Sequence, residues 1–353
     1  MKKVLLGSTA LAGAFLAMGP AQPAHALDVI LGGFVAFEAI GASENVLDGD
    51  LDNGADRSYQ FSTNNELHVR VQGETEGGTL YGAKIEFEAD QGTDNNVDEA
   101  GLFFSGGFGR VELGADDGAE DIMLVDATTI SAGTGGADGD FDTVAGTNID
   151  IIDTSDAVKA SYFTPRIAGF QAGVSFTPDT GDFGDNGNLS GSRNGDFENS
   201  VGAGLNYEGE FGGLALGLSA VGHWAEAEET PGAGSNSGDD IKSYAVGGTL
   251  GVGDLQFGGS WGQNTDAAEL DFATAGVAYA FGVVNTSFTY NWVNPDGDIE
   301  LSSGGLSDGS TRHIFVVSGD VGLAPGLTLT GDVAYTDAEE EWVSGIATVN
   351  LAF

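Results

Sequence analysis

The chain has 353 residues, no Cys, 59 Gly, and 11 Lys and Arg against 54 Asp and Glu, for a formal charge of −43. This much glycine excludes an all-α architecture, because an interior Gly costs a helix roughly 1 kcal/mol relative to Ala. The charge excludes a nucleic-acid partner by phosphate repulsion, and the lack of Cys excludes a disulfide framework, a thiolate metal site and a Cys nucleophile.

At the N-terminus Met1, Lys2 and Lys3 precede an apolar run from Val4 to Met18, followed by Ala24-His25-Ala26. A positive start, a short apolar stretch and small residues at a cleavage site predict a secretory signal peptide over 1–26. The run is too short for the ~20 residues that a spanning helix needs. One exported domain, 27–353, is expected to follow.

Alternation with period two then predicts sixteen strands, near 28–40, 58–75, 79–91, 98–106, 109–116, 157–164, 169–177, 199–209, 214–225, 241–251, 254–264, 270–281, 283–294, 311–322, 327–337 and 342–353. The cleanest runs from Val284 to Trp292, with Val284, Phe288, Tyr290 and Trp292 on one face and Asn285, Ser287, Thr289 and Asn291 on the other. Polar faces rich in Gly, Ser, Thr and Asn, opposed by aromatic and aliphatic faces, fit a barrel turned apolar side out, with girdles at the two membrane interfaces. Trp224, Trp261, Trp292, Trp342, Tyr207, Tyr279, Tyr290 and Tyr335 are the girdle candidates. Tight turns such as Glu76-Gly77-Gly78 alternate with longer acidic connections, and 117–156 stands out as about forty residues without a strand. A loop of that length in a regular fold is expected to be functional or disordered.

Several stretches carry a family resemblance: Asp98 to Gly114, which includes Gly107-Phe108-Gly109-Arg110-Val111-Glu112-Leu113-Gly114, then Tyr162 to Phe176, and the alternating end from Gly345 to Phe353. In these the chain resembles the general-diffusion porins of Gram-negative bacteria, of the alphaproteobacterial type found in purple bacteria. The resemblance implies an all-β fold, a transmembrane antiparallel barrel of sixteen strands whose long third external loop folds into the lumen, with 117–156 in that loop's place. It also implies a homotrimer set in outer-membrane lipid and lipopolysaccharide, passing small hydrophilic solutes and cations by passive diffusion, with no required cofactor and no catalysis.

Within such a barrel charged faces must point inward, since a midplane Arg or Lys facing lipid costs about 2 to 4 kcal/mol. Alternation then gathers Arg70, Lys84, Arg110 and Lys159 as a basic wall. The long loop opposes it with Asp116, Asp117, Glu120, Asp121 and Asp126, and continues through Asp138, Asp140, Asp142, Asp150, Asp153 and Asp156. Basic wall against acidic loop predicts a transverse field across a constriction. Asp138, Asp140 and Asp142, spaced by two, offer oxygen ligands suited to Ca²⁺. The acidity and the stretch from Gly133 to Phe141 also motivate an alternative, a secreted calcium-binding β-roll or adhesin, although the nonapeptide that such a fold repeats in tandem occurs once. Beyond residue 26 the histidines are His68, His223 and His313, none within a nucleophile motif, so no enzyme activity is expected.

Overall fold

The computed structural model describes residues 27–43, 58–89, 97–136, 141, 145, 151–180, 197–227, 240–266, 269–295, 310–339 and 341–353. Its strands are β1 (Asp28–Ala42), β2 (Tyr59–Glu74), β3 (Leu80–Glu88), β4 (Val97–Gly106), β5 (Gly109–Ala115), β6 (Val158–Phe163), β7 (Phe170–Asp179) and β8 (Phe197–Phe211). They continue as β9 (Leu214–Ala227), β10 (Ile241–Val252), β11 (Leu255–Asp266), β12 (Leu270–Phe281), β13 (Val284–Pro295), β14 (Arg312–Ala324), β15 (Leu327–Asp337) and β16 (Glu341–Ala352). Every boundary lies within three residues of the one that alternation predicts. Between β5 and β6 sit one helical turn, α1 (Ala119–Ile122), and a 3-10 turn over Thr128–Ile130.

Each strand pairs antiparallel with its sequence neighbours, and β1 pairs with β16 to close the barrel. Closure is sealed where the backbones of Gly33 and Phe353 exchange two hydrogen bonds, at 3.0 and 3.1 Å. An antiparallel barrel replaces the β-roll alternative, whose coils stack in parallel. The strands turn tightly at one end, and five of those turns place Gly78, Gly212, Gly253, Gly282 and Gly326 at φ between 59° and 79°, where a side chain would be strained. Connections at the other end run longer, apart from 267–269 and 338–340.

Alternation sorts the side chains as expected. Val284, Phe288, Tyr290 and Trp292 face out from β13, while Ser287, Thr289 and Asn291 face in and are buried. The outward set includes Leu31, Phe37, Phe61, Leu102, Val174, Leu205, Val246, Phe288, Val317 and Val333, all exposed in the isolated chain. So much contiguous apolar surface suits lipid, not water. Aromatic pairs mark its two rims: Tyr244 with Trp261 and Tyr290 with Phe315 toward the longer connections, Phe170 with Tyr207 and Tyr279 with Phe281 toward the tight turns.

Trp342 departs from the girdle expectation. It shares the inward parity of Ser344 and Ile346 and is 2% exposed, joining Ile40, Phe141, Phe272, Ile314, Val316 and Ile346 in a core inside the barrel. That core exists because the segment between β5 and β6 runs within the barrel, giving inward apolar side chains something to pack against.

Candidate functional site

The inner wall of β2 to β6 carries a graded set of charges fixed by strand register. Arg70 of β2 stands opposite Lys84 of β3, His68 opposite Glu86, and Glu66 opposite Glu88, proceeding from the tight-turn end toward the long connections. On β4 the inward Phe103 is 3% exposed, and its ring takes the Arg70 guanidinium at 4.5 Å and that of Arg110 at 5.2 Å from the centroid. The negative face of an aromatic ring attracts such cations.

Lys84 donates to Glu99 and, at 2.9 Å, to Asp116, and lies 4.0 Å from Glu86. Arg110 pairs with Glu112 two residues along β5. Among the described residues Arg70 forms no ion pair, so its charge is opposed only at longer range. Of the four expected basic residues, Arg70, Lys84 and Arg110 thus gather on one wall around Phe103 and Asp116. Lys159 does not join them as an exposed charge. It is 4% exposed and donates to the carbonyls of Asp116 and Ser155, so it clips together the two roots of the inner segment.

From Asp116 the segment crosses to the far wall, where inward hydroxyls and carboxylates satisfy its irregular backbone, as buried N–H and C=O groups require. The Ala119 N–H donates to Ser175 of β7 (2.6 Å), that of Val125 to Ser219 of β9 (2.9 Å), that of Ala127 to Thr274 of β12 (3.2 Å) and that of Ala132 to Ser287 of β13 (2.9 Å). Thr134 donates its N–H to Asp332 of β15 at 3.2 Å, and Gly135 accepts from Thr289 at 2.8 Å. Inward glycines form the bed. A methyl group at Gly247 would overlap the Val125 carbonyl, and one at Gly204 would stand 2.7 Å from the Met123 Cβ.

The loop acids therefore divide. Asp116 and Asp117 stay at the root beside Lys84 and Lys159. Burial lifts the Asp117 carboxyl to about 6, with Asp156, Asp116 and Asp153 adding repulsion, and burial with repulsion from Asp98 does the same for Asp156. Glu120 and Asp126 do not form the acidic row facing the lumen that the sequence led us to expect. Glu120 is fully buried against β8, and Asp126 is turned inward to accept hydrogen bonds from the N–H groups of Thr128 and Thr129 at 2.9 and 3.1 Å, which caps the 3-10 turn. Asp121 is half-buried on α1.

Residues that alternation alone did not single out complete the site. Glu99 neutralises Lys84, Phe103 spaces the two arginines, and the inward Ser and Thr residues hold the segment. Their signal was present as period-two partners of apolar residues, but nothing in the sequence showed what they would meet. Donor atoms of Glu66, His68 and Glu86, of Glu66, Glu88 and Asp98, and of Glu99, Asp116 and Asp117 lie within 4.8 Å of one another in each group, close enough to share a cation. His68 is already hydrogen-bonded to Glu66 at 2.6 Å. Asp138, Asp140 and Asp142, expected to suit Ca²⁺, lie outside the described residues.

Comparison with known proteins fits this geometry. The family model for Gram-negative porins matches residues 7–341. An uncharacterised protein of Rickettsia conorii is 26% identical over 274 residues, which cover 56% of this chain and 63% of that protein; one of Rickettsia felis is 27% identical over 266 residues, 54% and 61%. The chain thus spans about three fifths of the length of these two relatives. Among solved structures, the anion-selective porin from Comamonas acidovorans superposes with a TM-score of 0.69 at 17% identity, over 93% of this chain and all of that one. A mutant of the Rh. blastica porin gives 0.62 at 16% identity, over 92% of this chain and all of its own. At such identities the likeness is one of fold.

Proposed function

The chain belongs to the Gram-negative porin family, and from that premise we propose that it forms a water-filled pore in the outer membrane for passive diffusion of small hydrophilic solutes and ions. One observation carries the reading: a closed sixteen-stranded barrel whose outer face is apolar and whose inner face is lined with acidic and basic side chains. A packed, dry barrel interior would have no use for Arg70, Arg110, Glu66, Glu86 and Glu88 along one wall.

The constriction of this pore lies between the charged wall of β2 to β6 and the segment that follows Asp116. A solute passing there meets Arg70 and Arg110 near the tight-turn end and carboxylates nearer the other. With 54 acidic residues against 11 basic ones the pore prefers cations, unlike the anion-selective Comamonas protein. The assembly is a homotrimer, the apolar outer face of β1 and β2 supplying contact through Val29, Leu31, Val35, Phe37 and Phe61. A Ca²⁺ ion on Asp138, Asp140 and Asp142 is not required by this reading.

The test is planar-bilayer recording with purified, folded protein. Stable ohmic conductance is expected, with a reversal potential in a KCl gradient of the sign that marks potassium preference. Folded barrels that leave the bilayer silent would overturn the reading.

A further inference from the structure

Glu120 occupies an unusual position for a carboxyl group. It is fully buried, and among the described residues neither side-chain oxygen accepts a hydrogen bond from another residue. It rests in a notch where β8 has glycine: a methyl group at Gly202 would overlap the carboxyl. A carboxylate stripped of water and served only by its own backbone N–H costs several kcal/mol, so burial favours its neutral form.

The seat is also the anchor of α1. Beside Glu120, the Ala119 N–H donates to Ser175 of β7, and Met123, 1% exposed, fills the space over Gly173 and Gly204. We propose that α1 is a proton-operated latch on the inner segment: with its proton, Glu120 seats the helix against β7 to β9, and without it the helix leaves the wall.

The charges around the seat determine the sign. Burial raises the Glu120 carboxyl to about 7; its own backbone N–H and Lys159 of β6 oppose the rise, and Asp153 and Asp117 of the segment reinforce it. β7 presents the Ser175 hydroxyl, β8 presents glycine at 202 and 204, and His223 of β9 is hydrogen-bonded to Ser200 of β8 at 2.6 Å on the same stretch of wall. A released Glu120 titrates near the ordinary value of 4.5. Docking is therefore strongest below that pH, weakens as pH rises toward about 7, and levels off above it.

Hydrogen exchange of the amides of residues 119–124, corrected for intrinsic rate, tests the latch on folded barrels in detergent between pH 5 and 8. The expected loss of protection is about tenfold or more across that range. Glu120→Gln, or Glu120→Met if the first variant folds poorly, should stay protected throughout. Wild type without a pH response, or variants that follow the wild-type profile, would overturn the proposal. The consequence for flux rests on the pore reading, but exchange does not. Release without any channel conductance would refute the pore and leave the latch standing, whereas a conducting channel with flat exchange would refute the latch alone.

Discussion

Arg70 and Arg110, on strands β2 and β5, share the phenyl ring of Phe103 on β4, although among the described residues only Arg110 has a carboxylate partner, Glu112. The two cations therefore differ in what they contribute. Arg110 is balanced locally, and Arg70 projects net charge into the lumen.

Arg70→Gln should accordingly strengthen cation preference in reversal-potential measurements and leave thermal stability nearly unchanged. Arg110→Gln leaves the buried Glu112 without its donor and should cost about 1 to 3 kcal/mol in denaturant unfolding, the usual penalty for an orphaned buried acceptor. Equal stability losses in the two variants would show that the stacking on Phe103, not the Glu112 pair, holds both.

Lys84 bridges Glu99 of β4 and Asp116 at the start of the inner segment. Lys84→Met leaves two carboxylates facing each other in a partly buried site, and a loss of about 3 kcal/mol is expected, as when one member of a buried pair is removed. Lys84→Arg should restore most of it. The readout is the temperature at which the folded barrel loses its characteristic mobility in detergent gels.

The inner segment depends on the absence of side chains beneath it. Gly247→Ala would drive a methyl group into the Val125 carbonyl, an overpacking worth about 1 to 3 kcal/mol against docking. The segment must then move toward the lumen, so single-channel conductance should fall. Gly319→Ala of β14 is the control, since its nearest neighbour, the Asn285 carbonyl oxygen, is 3.5 Å away and can remain in place.

Much of this fold was legible because period two is a local property. Val284 to Trp292 declares its two faces residue by residue, and the barrel's strands followed from such runs. The resemblance added the inner path of the segment. Neither source revealed the partners across the lumen. Trp342 reads as a girdle residue until it is seen in one buried core with Phe141 and Ile40. Lys159 reads as a wall charge until its ammonium group is found on two segment carbonyls. Asp126 reads as a lumenal acid, yet its neighbours Thr128 and Thr129 already form the cap it serves. These errors share a cause: an inward parity fixes the face of a side chain but not whether water or chain lies in front of it.

The acids at the segment root make ion preference depend on pH in a window that surface carboxylates do not reach. Asp117 and Asp156 are both raised to about 6, first by burial and then by neighbouring carboxylates, while Lys159 opposes the shift. Above that value they are ionised and add negative potential at the root; below it they are neutral, and Arg70 and Arg110 weigh more heavily. Potassium preference should therefore fall as pH drops from 7 to 5, with its midpoint near 6, where solvated carboxylates at ordinary values near 4 are still ionised. Screening sets the salt in which to look. The effect should be plain at 0.1 M, with a Debye length of about 10 Å, and shrink at 1 M, where it is about 3 Å. In Asp117→Asn combined with Asp156→Asn, the step near pH 6 should shrink, leaving the contribution of Glu120 near 7 and the decline of solvated carboxylates near pH 4. A double variant that keeps the wild-type midpoint would assign the titration to other groups and remove these two acids from the ion path.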